Sequence, residues 1–142
     1  MSIEPRIRAA EAGDEALLLP LVQDFVASFK LEADSFRVSF QRLIEKESAL
    51  VMVAESEGEL VGYILGFIHD TFYANGPVAW VEEIMVHPEY RRTGLGGRLM
   101  ESFESWCKSN GAVLSALATR RASEFYEAIG YEASATYYRR LL

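Results

Sequence analysis

The chain has 142 residues, of which half are apolar and a quarter are charged, and its formal net charge is −7. This length supports one domain with a real hydrophobic core, and the acidic balance argues against a general nucleic-acid binder, which normally presents a basic face. No apolar run reaches the roughly 20 residues that span a bilayer, and the first residues lack the apolar core of a signal peptide. The one cysteine, Cys107, excludes an intrachain disulfide and fits a reducing, cytoplasmic location. We therefore expect a single domain over residues 1–142, with no membrane and no nucleic acid among its partners.

Alternation predicts the first strand, apolar runs bounded by turn residues predict the others, and apolar residues at helical spacing predict the helices. Pro20 interrupts the first helical pattern and should kink that helix or move its start, and Asn110-Gly111 is a helix stop. The predicted strands are residues 6–9, 49–54, 60–68, 78–86 and 112–116, with one or two more within 131–141; the predicted helices are residues 17–29, 34–44, 95–109 and 119–129. Because hairpins precede helical crossovers, this order predicts an α/β (α+β) domain around one central sheet.

The most distinctive stretch is VEEIMVHPEYRRTGLGGR, residues 81–98. Glycines at 94, 96 and 97 allow successive backbone N–H groups to converge on one point. The helix that follows adds free N–H groups and a partial positive charge at its N-terminus. This combination binds phosphate, and Arg91, Arg92 and Arg98 add full charges. The alternative is a tight strand-to-helix turn in which the glycines only pack.

Two common nucleotide-binding signatures do not match this loop. The Walker loop requires Gly-Lys-Ser/Thr, but Gly97 is followed by Arg98 and Leu99. The dinucleotide fingerprint requires a glycine three residues after Gly96, where the chain has Leu99. A nucleotide-binding protein of either kind is therefore excluded by the spacing.

Two motifs together give the chain a family resemblance. RRTGLG, residues 91–96, follows a strand that ends at His87-Pro88, and FYEAIGY, residues 125–131, closes the last predicted helix. With both motifs, and with its element order, the chain resembles the GNAT superfamily of N-acetyltransferases over its whole length. The resemblance implies the GNAT fold, a central mixed, mostly antiparallel sheet flanked by about four helices. It also implies acetyl-CoA as co-substrate and no metal. The reaction would be transfer of the acetyl group to a primary amine of a small molecule, peptide or protein, by direct attack in a ternary complex. The expected partners are acetyl-CoA, the amine acceptor and, as one possibility, a second copy of the chain in a homodimer.

The same resemblance implies which residues contact the coenzyme. The loop wraps the pyrophosphate through its backbone N–H groups, and the end of the long strand hydrogen-bonds the pantetheine arm in sheet fashion. Thr119, Ser123 and Tyr126, at i, i+4 and i+7 of the last predicted helix, share a face that would lie along that arm; the family often has Asn at the Thr119 position. The expected cofactor-binding residues are Ile84, Met85, Val86, Arg91, Arg92, Thr93, Gly94, Leu95, Gly96, Gly97, Arg98, Thr119, Ser123 and Tyr126.

The long strand also carries the candidate base. Alternation places Trp80, Glu82, Ile84 and Val86 on one face and Glu83 and Met85 on the other, unless a bulge changes the register. The resemblance places the face of Trp80 and Glu82 at the acyl-transfer centre, so we expect Glu82 to take the proton of the amine, with Glu83 or water as alternatives. It also implies backbone N–H donors near Ile84 for the carbonyl oxygen and Tyr126 as proton donor to the leaving thiolate.

The sequence leaves two functions open. The first is the acetyltransferase, and the second is a non-catalytic acyl-CoA-binding regulatory domain of the same fold. Tyr126 and Glu82 favour the enzyme, because a pure binding domain does not need them. The acceptor stays open: aromatic residues near its expected site could stack on a cationic or aromatic amine or serve as core or dimer contacts. These are Phe25, Phe29, Phe36, Phe72, Tyr73, Tyr137 and Tyr138.

Overall fold

The computed structural model describes residues 4–26 and 29–142. In this part of the chain, one five-stranded sheet has the order β1-β2-β3-β4-β5, antiparallel in its first three pairings and parallel between β4 and β5. This confirms the predicted mixed, mostly antiparallel sheet with four helices. The strands are β1 (Arg6–Ala9), β2 (Ala49–Ser56), β3 (Glu59–His69), β4 (Val78–Val86) and β5 (Leu114–Leu117), and the helices are α1 (Glu15–Phe25), α2 (Ala33–Glu45), α3 (Leu95–Ser109) and α4 (Ser123–Ala128).

Helices cover both faces of the sheet. On one face, α1 and α2 bury apolar side chains such as Leu18 and Phe40 against β2 and β3. On the other face, Leu99 and Phe103 of α3 are fully buried against β3 and β4. Gly66 of β3 allows that contact, because a Cβ there would lie 2.3 Å from the Phe103 ring. The central strands β3 and β4 are therefore packed against helices or core side chains on both faces of the sheet, which holds β4 in place between the two layers.

A β-bulge in β4 changes the predicted register. Leu65 of β3 pairs with Glu83 and the next residue, Gly66, pairs with Val81, so Glu82 is the extra residue. The two carboxylates therefore do not alternate across the sheet as an unbroken strand would have them. The opposite orientation that we expected for Glu83 in a regular strand is therefore not found, and the structure shows the exception that we allowed, a bulge that shifts the pleat by one residue.

The bulge also separates residues that we expected to share a face. Trp80, paired with Phe67, lies on the α1/α2 face together with Glu83 and Met85. Ile84 and Val86 pack on the α3 face instead. The predicted common face of Trp80, Glu82, Ile84 and Val86 is therefore wrong beyond the bulge.

The last helix is shorter than predicted, because α4 begins at Ser123 and not at Thr119. The Thr119 hydroxyl accepts a hydrogen bond from the Ala122 N–H at 3.0 Å, which holds a turn before the helix. Helix from residue 119 would also place Arg120 and Arg121 in the first turn, where positive charge opposes the helix dipole. Thr119 is thus not on the helical face that carries Ser123 and Tyr126.

The predicted closing strands are absent from residues 131–142 of the structure. The Tyr131 N–H bonds back to the Tyr126 carbonyl at 2.9 Å, which ends α4. The following EASAT segment has few apolar atoms to bury on a sheet, so side-chain packing gives it little reason to pair. Tyr137 instead lies over Trp80, with ring centroids 6.5 Å apart.

Helix α1 also ends earlier than predicted. It runs through Pro20 from Glu15 to Phe25, and Val26 is already extended with φ −73° and ψ 122°. Residues 27 and 28, which the predicted helix includes, lie outside the described residues, as do residues 1–3. No helix within residues 4–26 and 29–142 combines the length and the apolar character that a membrane crossing needs.

Candidate active site

The glycine loop, residues 91–98, presents three backbone N–H groups that the following helix does not use. Gly94, with φ of 86°, reverses the chain just before α3. The Arg98 N–H donates to the Gly94 carbonyl at 3.1 Å and makes the first bond of the helix. The preceding N–H groups of Leu95, Gly96 and Gly97 therefore have no acceptor within the helix. A Cβ on Gly94 or Gly97 would meet no atom within 4 Å, so the space beside these two glycines is open.

The three arginines of the loop are in different environments. Arg91 donates through Nε to the Val86 carbonyl at 3.2 Å and so ties the loop to the end of β4. Arg98 lies 3.3 Å from a carboxylate oxygen of Glu4. Arg92 is exposed, and the described residues offer it neither a hydrogen bond nor an ion pair. Its φ of 62° is a left-handed conformation that non-glycine residues rarely adopt, so a charged side chain is held there at a cost in backbone strain.

Strand β4 loses its neighbour at the bulge. The pairing of β4 with β5 ends at Val81 and Leu117, and the described chain provides no β5 partner for residues 82–86. On the other side the His87 N–H donates to the Val61 carbonyl at 2.8 Å. In an antiparallel ladder every second residue points its backbone groups away from the partner, so the N–H groups of Ile84 and Val86 point into the gap. A strand-like ligand can pair there, next to the open amides of α3.

Met85 differs from its two neighbours in this respect. It is paired with Tyr63 of β3, and its side chain is buried on the α1/α2 face. By the same alternation its backbone N–H points toward β3. Met85 therefore contributes to the packing and pairing of β4, and the backbone N–H groups that point into the gap are those of Ile84 and Val86.

The residues of α4 lie on the α3 side of the sheet. Tyr126 is buried with its ring edge-on to Phe125 at 5.0 Å and to Tyr131 at 6.0 Å. Burial raises the pKa of its hydroxyl, so the side chain stays protonated and can donate a proton. Ser123 is exposed one turn earlier on the same side of the helix. The structure thus brings Ser123 and Tyr126 together and leaves Thr119 outside the helix.

The two carboxylates of the bulge have different partners. Glu82 is exposed, and its Oε2 accepts a hydrogen bond from the Trp80 indole Nε1 at 2.9 Å. Glu83 is half-buried, and its Oε1 accepts a hydrogen bond from the Tyr63 hydroxyl at 2.8 Å. Both side chains are therefore on the side of the sheet that α1 and α2 cover.

Burial raises the pKa of Glu83, and repulsion by the nearby Glu82 raises it further, whereas the Tyr63 hydrogen bond lowers it. Burial together with the charge of Glu83 also raises the pKa of the Tyr63 hydroxyl. Sequence reasoning missed Tyr63 completely. The available signal was a hydroxyl within the otherwise apolar run of β3, because a buried tyrosine hydroxyl usually has a partner.

Glu83 should make the stability of the fold fall with increasing pH. A carboxyl whose pKa is higher in the folded than in the unfolded chain binds more protons when folded, so its contribution is fully favourable below the ordinary value of 4.5 and is lost as the pH rises through the folded pKa. Glu83→Gln removes this titration. We expect the melting temperature of the variant, relative to the unmodified chain, to be higher at pH 8 than at pH 4. A difference that is the same at both pH values would contradict the burial argument.

Comparisons with known proteins agree with this geometry. A family model described as "Acetyltransferase (GNAT) family" matches residues 18–131. An uncharacterized N-acetyltransferase of Bacillus subtilis, YhfO, is 26% identical over 132 residues, which are 89% of each chain. An aminoglycoside N(6')-acetyltransferase type 1 of Acinetobacter genomosp. 13 is 31% identical over 99 residues, which are 64% of this chain and 68% of that one.

A solved structure shows the same fold. AAC(6')-Iy, in complex with the bisubstrate analog CoA-S-monomethyl-acetylneamine, superimposes with a TM-score of 0.83 over 99% of this chain and 100% of that chain, at 19% identity. The family match covers most of the chain and includes the glycine loop, β4 and α4. The chain therefore belongs to the acetyltransferase (GNAT) family and is an acetyl-CoA-dependent N-acetyltransferase that transfers the acetyl group to an amine.

Proposed function

We propose that the chain acetylates a primary amine by direct attack on the thioester while both substrates are bound. The observation that carries this proposal is the position of the gap beside β4. The free N–H groups of Ile84 and Val86 open into the gap, and the amides of Leu95, Gly96 and Gly97 follow at its end. Both sets of N–H groups are hydrogen-bond donors, and the amide carbonyls of pantetheine and the oxygens of a pyrophosphate are acceptors that can bind them.

The coenzyme would lie along these donors. Its pyrophosphate would contact the α3 amides and Arg92, its pantetheine arm would pair with Ile84 and Val86, and Ser123 would line the arm. Arg91, Thr93 and Arg98 support the loop: Thr93 donates its hydroxyl to the Tyr90 carbonyl. Backbone donors and arginines supply the positive potential, so we propose that no metal takes part.

The chemistry balances with one base and one acid. The ammonium form of the amine first loses a proton, and its nitrogen lone pair then forms a C–N bond with the carbonyl carbon as the C–S bond breaks. The second proton on nitrogen ends on the thiolate, giving an amide, free coenzyme thiol and one released proton. We propose that Glu82 takes the first proton, directly or through water, and that Tyr126 gives a proton to the leaving sulfur.

Glu82 is favoured over Glu83 as the proton acceptor by its exposure, because a base must pass its proton on to solvent after each turnover. The Trp80 indole holds its carboxylate in place. The carbonyl oxygen would be stabilised by the Ile84 N–H, the first free donor after the bulge.

We also propose that residues 1–142 act as one catalytic domain in the cytoplasm. The buried Cys107 fits a reducing compartment. A homodimer is part of the proposal too: exposed Tyr137, Tyr138 and Leu141 near the C-terminus would supply apolar contact surface. A non-catalytic coenzyme-binding role is the competing function, and turnover of acetyl-CoA with a panel of primary amines decides between them.

Replacing Arg92 with glycine should separate coenzyme affinity from stability. The variant keeps the left-handed backbone that glycine adopts without strain but loses an exposed charge. We expect the Kd for acetyl-CoA, measured by calorimetry, to rise about three- to tenfold while the melting temperature is unchanged or higher. Asn75→Gly is the matched control, since Asn75 has φ of 61° in the loop at the other end of β4. Equal affinity in both variants would remove Arg92 from the phosphate site.

Glu82→Gln should give a pH-dependent loss of activity. Glutamine keeps the size of the side chain but cannot take a proton. An alkylammonium has a pKa near ~10, so free amine is scarce at neutral pH and the loss in kcat should be greatest there. The loss in kcat should become smaller as the pH approaches the pKa of the amine, because more of the amine is then already neutral. A pH–rate profile like that of the unmodified enzyme would show that water alone removes the proton.

Tyr126→Phe should lower kcat with little change in coenzyme affinity. The ring keeps its contacts with Phe125 and Tyr131, and only the proton donor is lost. General acids contribute roughly 10²- to 10⁴-fold, so a single-turnover rate reduced by that factor supports the role. A full rate would mean that the thiolate leaves unaided, which a thiol pKa of about 8.5 permits.

A further inference from the structure

A cavity lies between the sheet and the helices α1 and α2, on the side of β4 opposite the proposed coenzyme face. Its volume is about 200 Å³, and apolar side chains supply most of its lining. The apolar walls include Leu18, Val22, Phe36, Phe40, Leu43 and Val51. The Phe36 and Phe40 rings are stacked with centroids 5.8 Å apart. Such a lining favours an apolar ligand, because a polar one would lose its hydration without gaining partners.

The polar groups of the cavity are few, and one of them carries a charge. Glu83 lies in the wall with the Tyr63 hydroxyl bound to its Oε1. Its Oε2 accepts no hydrogen bond from the described residues, and no arginine, lysine or histidine among them lies within ion-pair distance of it. Ser35 and Ser39 add two hydroxyls at the rim. The protein thus leaves one half-buried carboxylate oxygen for a cation that it does not itself supply.

Glu83 places one wall of the cavity in β4, the strand that borders the gap. Glu83 directly precedes Ile84, whose N–H opens into the gap beside β4, and adjacent strand residues are about 3.3 Å apart. Glu82, the proposed proton acceptor, is the residue before. An amine held by Glu83 would therefore be bound by the residue that lies between the proposed base and the first free N–H of the gap.

We propose that this cavity is the acceptor site and that it selects a small monoamine with an apolar body, an alkylamine or arylalkylamine, whose ammonium group is held by Glu83. The proposal rests on the proposed acetyltransferase function and names its substrate class. Tyr63 positions the Glu83 carboxylate, and the apolar walls hold the body of the amine. The bound ammonium first gives a proton to Glu82, the neutral nitrogen then attacks the thioester, and the balance of atoms is the one given above.

The size of the cavity sets the size of the acceptor. A cavity of about 150 Å³ can hold benzene, so about 200 Å³ accommodates a phenyl group with one or two methylenes. An aminoglycoside, the substrate named for one relative, carries several ammonium and hydroxyl groups. This lining offers one carboxylate and three hydroxyls, so most of those groups would be buried without partners.

The first experiment uses the unmodified enzyme and requires no variant. Release of coenzyme thiol is followed with acetyl-CoA and either propylamine, butylamine, pentylamine, 2-phenylethylamine, ethanolamine or the aminoglycoside kanamycin. We expect each added methylene to raise kcat/KM about fourfold, which corresponds to about 0.8 kcal/mol. 2-Phenylethylamine should be the best substrate and ethanolamine and kanamycin the poorest.

Two variants test the roles of the charge and of the walls. Glu83→Gln should raise the KM for 2-phenylethylamine at least roughly tenfold, the size of a lost charged hydrogen bond, and leave the KM for acetyl-CoA unchanged. Glu45→Gln, at the exposed end of α2, is the matched control and should change neither. Leu43→Ala enlarges the cavity and should move the optimum toward longer alkylamines.

The outcomes separate the two proposals. If kanamycin or ethanolamine is acetylated as well as 2-phenylethylamine, and Glu83→Gln leaves every KM unchanged, the cavity assignment is overturned and the acetyltransferase function stands. If acetyl-CoA binds but no amine is acetylated, both proposals fall. A rise in the KM for acetyl-CoA in Glu83→Gln would assign Glu83 to the coenzyme side and also overturn the cavity assignment.

Discussion

The bulge at Glu82 is the constraint on which the rest of the site depends. One extra residue in β4 turns Glu82 and Glu83 to the same side of the sheet, and pairing with β5 ends at the preceding residue, Val81. Without the bulge, the alternation of the strand would place a carboxylate in the apolar core under α3. The same irregularity therefore supplies the acidic groups on one face and the free amides of Ile84 and Val86 at the edge, where two substrates can meet.

Burial of Glu83 in the cavity lowers the stability of the fold, but it favours binding of the cationic acceptor that we propose. A half-buried carboxylate without a cation loses part of its hydration, and one tyrosine hydroxyl replaces only part of it. Folding already removes part of the water around this carboxylate. The free-energy cost of removing that water is therefore not charged again when a ligand binds. A cationic ligand then gains a charge-assisted hydrogen bond in surroundings of low polarity, where such bonds are strong. The strained backbone of Arg92 in the glycine loop fits the same pattern, because the strain lies where we propose that the coenzyme pyrophosphate binds.

Local signals in the sequence predicted most of the fold. Alternation in the first strand and apolar runs bounded by turn residues in the others located all five strands of the sheet, and the glycines located the start of α3, because these features depend on neighbours in the chain. The closing strands were wrong because residues 132–136 have few apolar atoms to pack on a sheet. The start of α4 was wrong because Arg120 and Arg121 would oppose the dipole of a helix that begins at Thr119. The sequence left a bulge as an open alternative and could not locate it, because the bulge is visible only in the pairing of β4 with β3, which no short window contains. Tyr63 was missed for a related reason: its partner Glu83 is 20 residues away.

The division of roles that we propose for the two carboxylates is based on their exposure. A base must exchange its proton with water in every cycle, and Glu82 is exposed while held by the Trp80 indole. A residue that binds an ammonium group gains most where water is excluded, and Glu83 is half-buried with a hydroxyl that fixes one of its oxygens. An exposed carboxylate would bind the cation weakly, because solvent screens it, and a buried one would release its proton slowly to solvent. Two adjacent glutamates on a bulge can meet both requirements, whereas one glutamate on a regular strand would have to compromise between them.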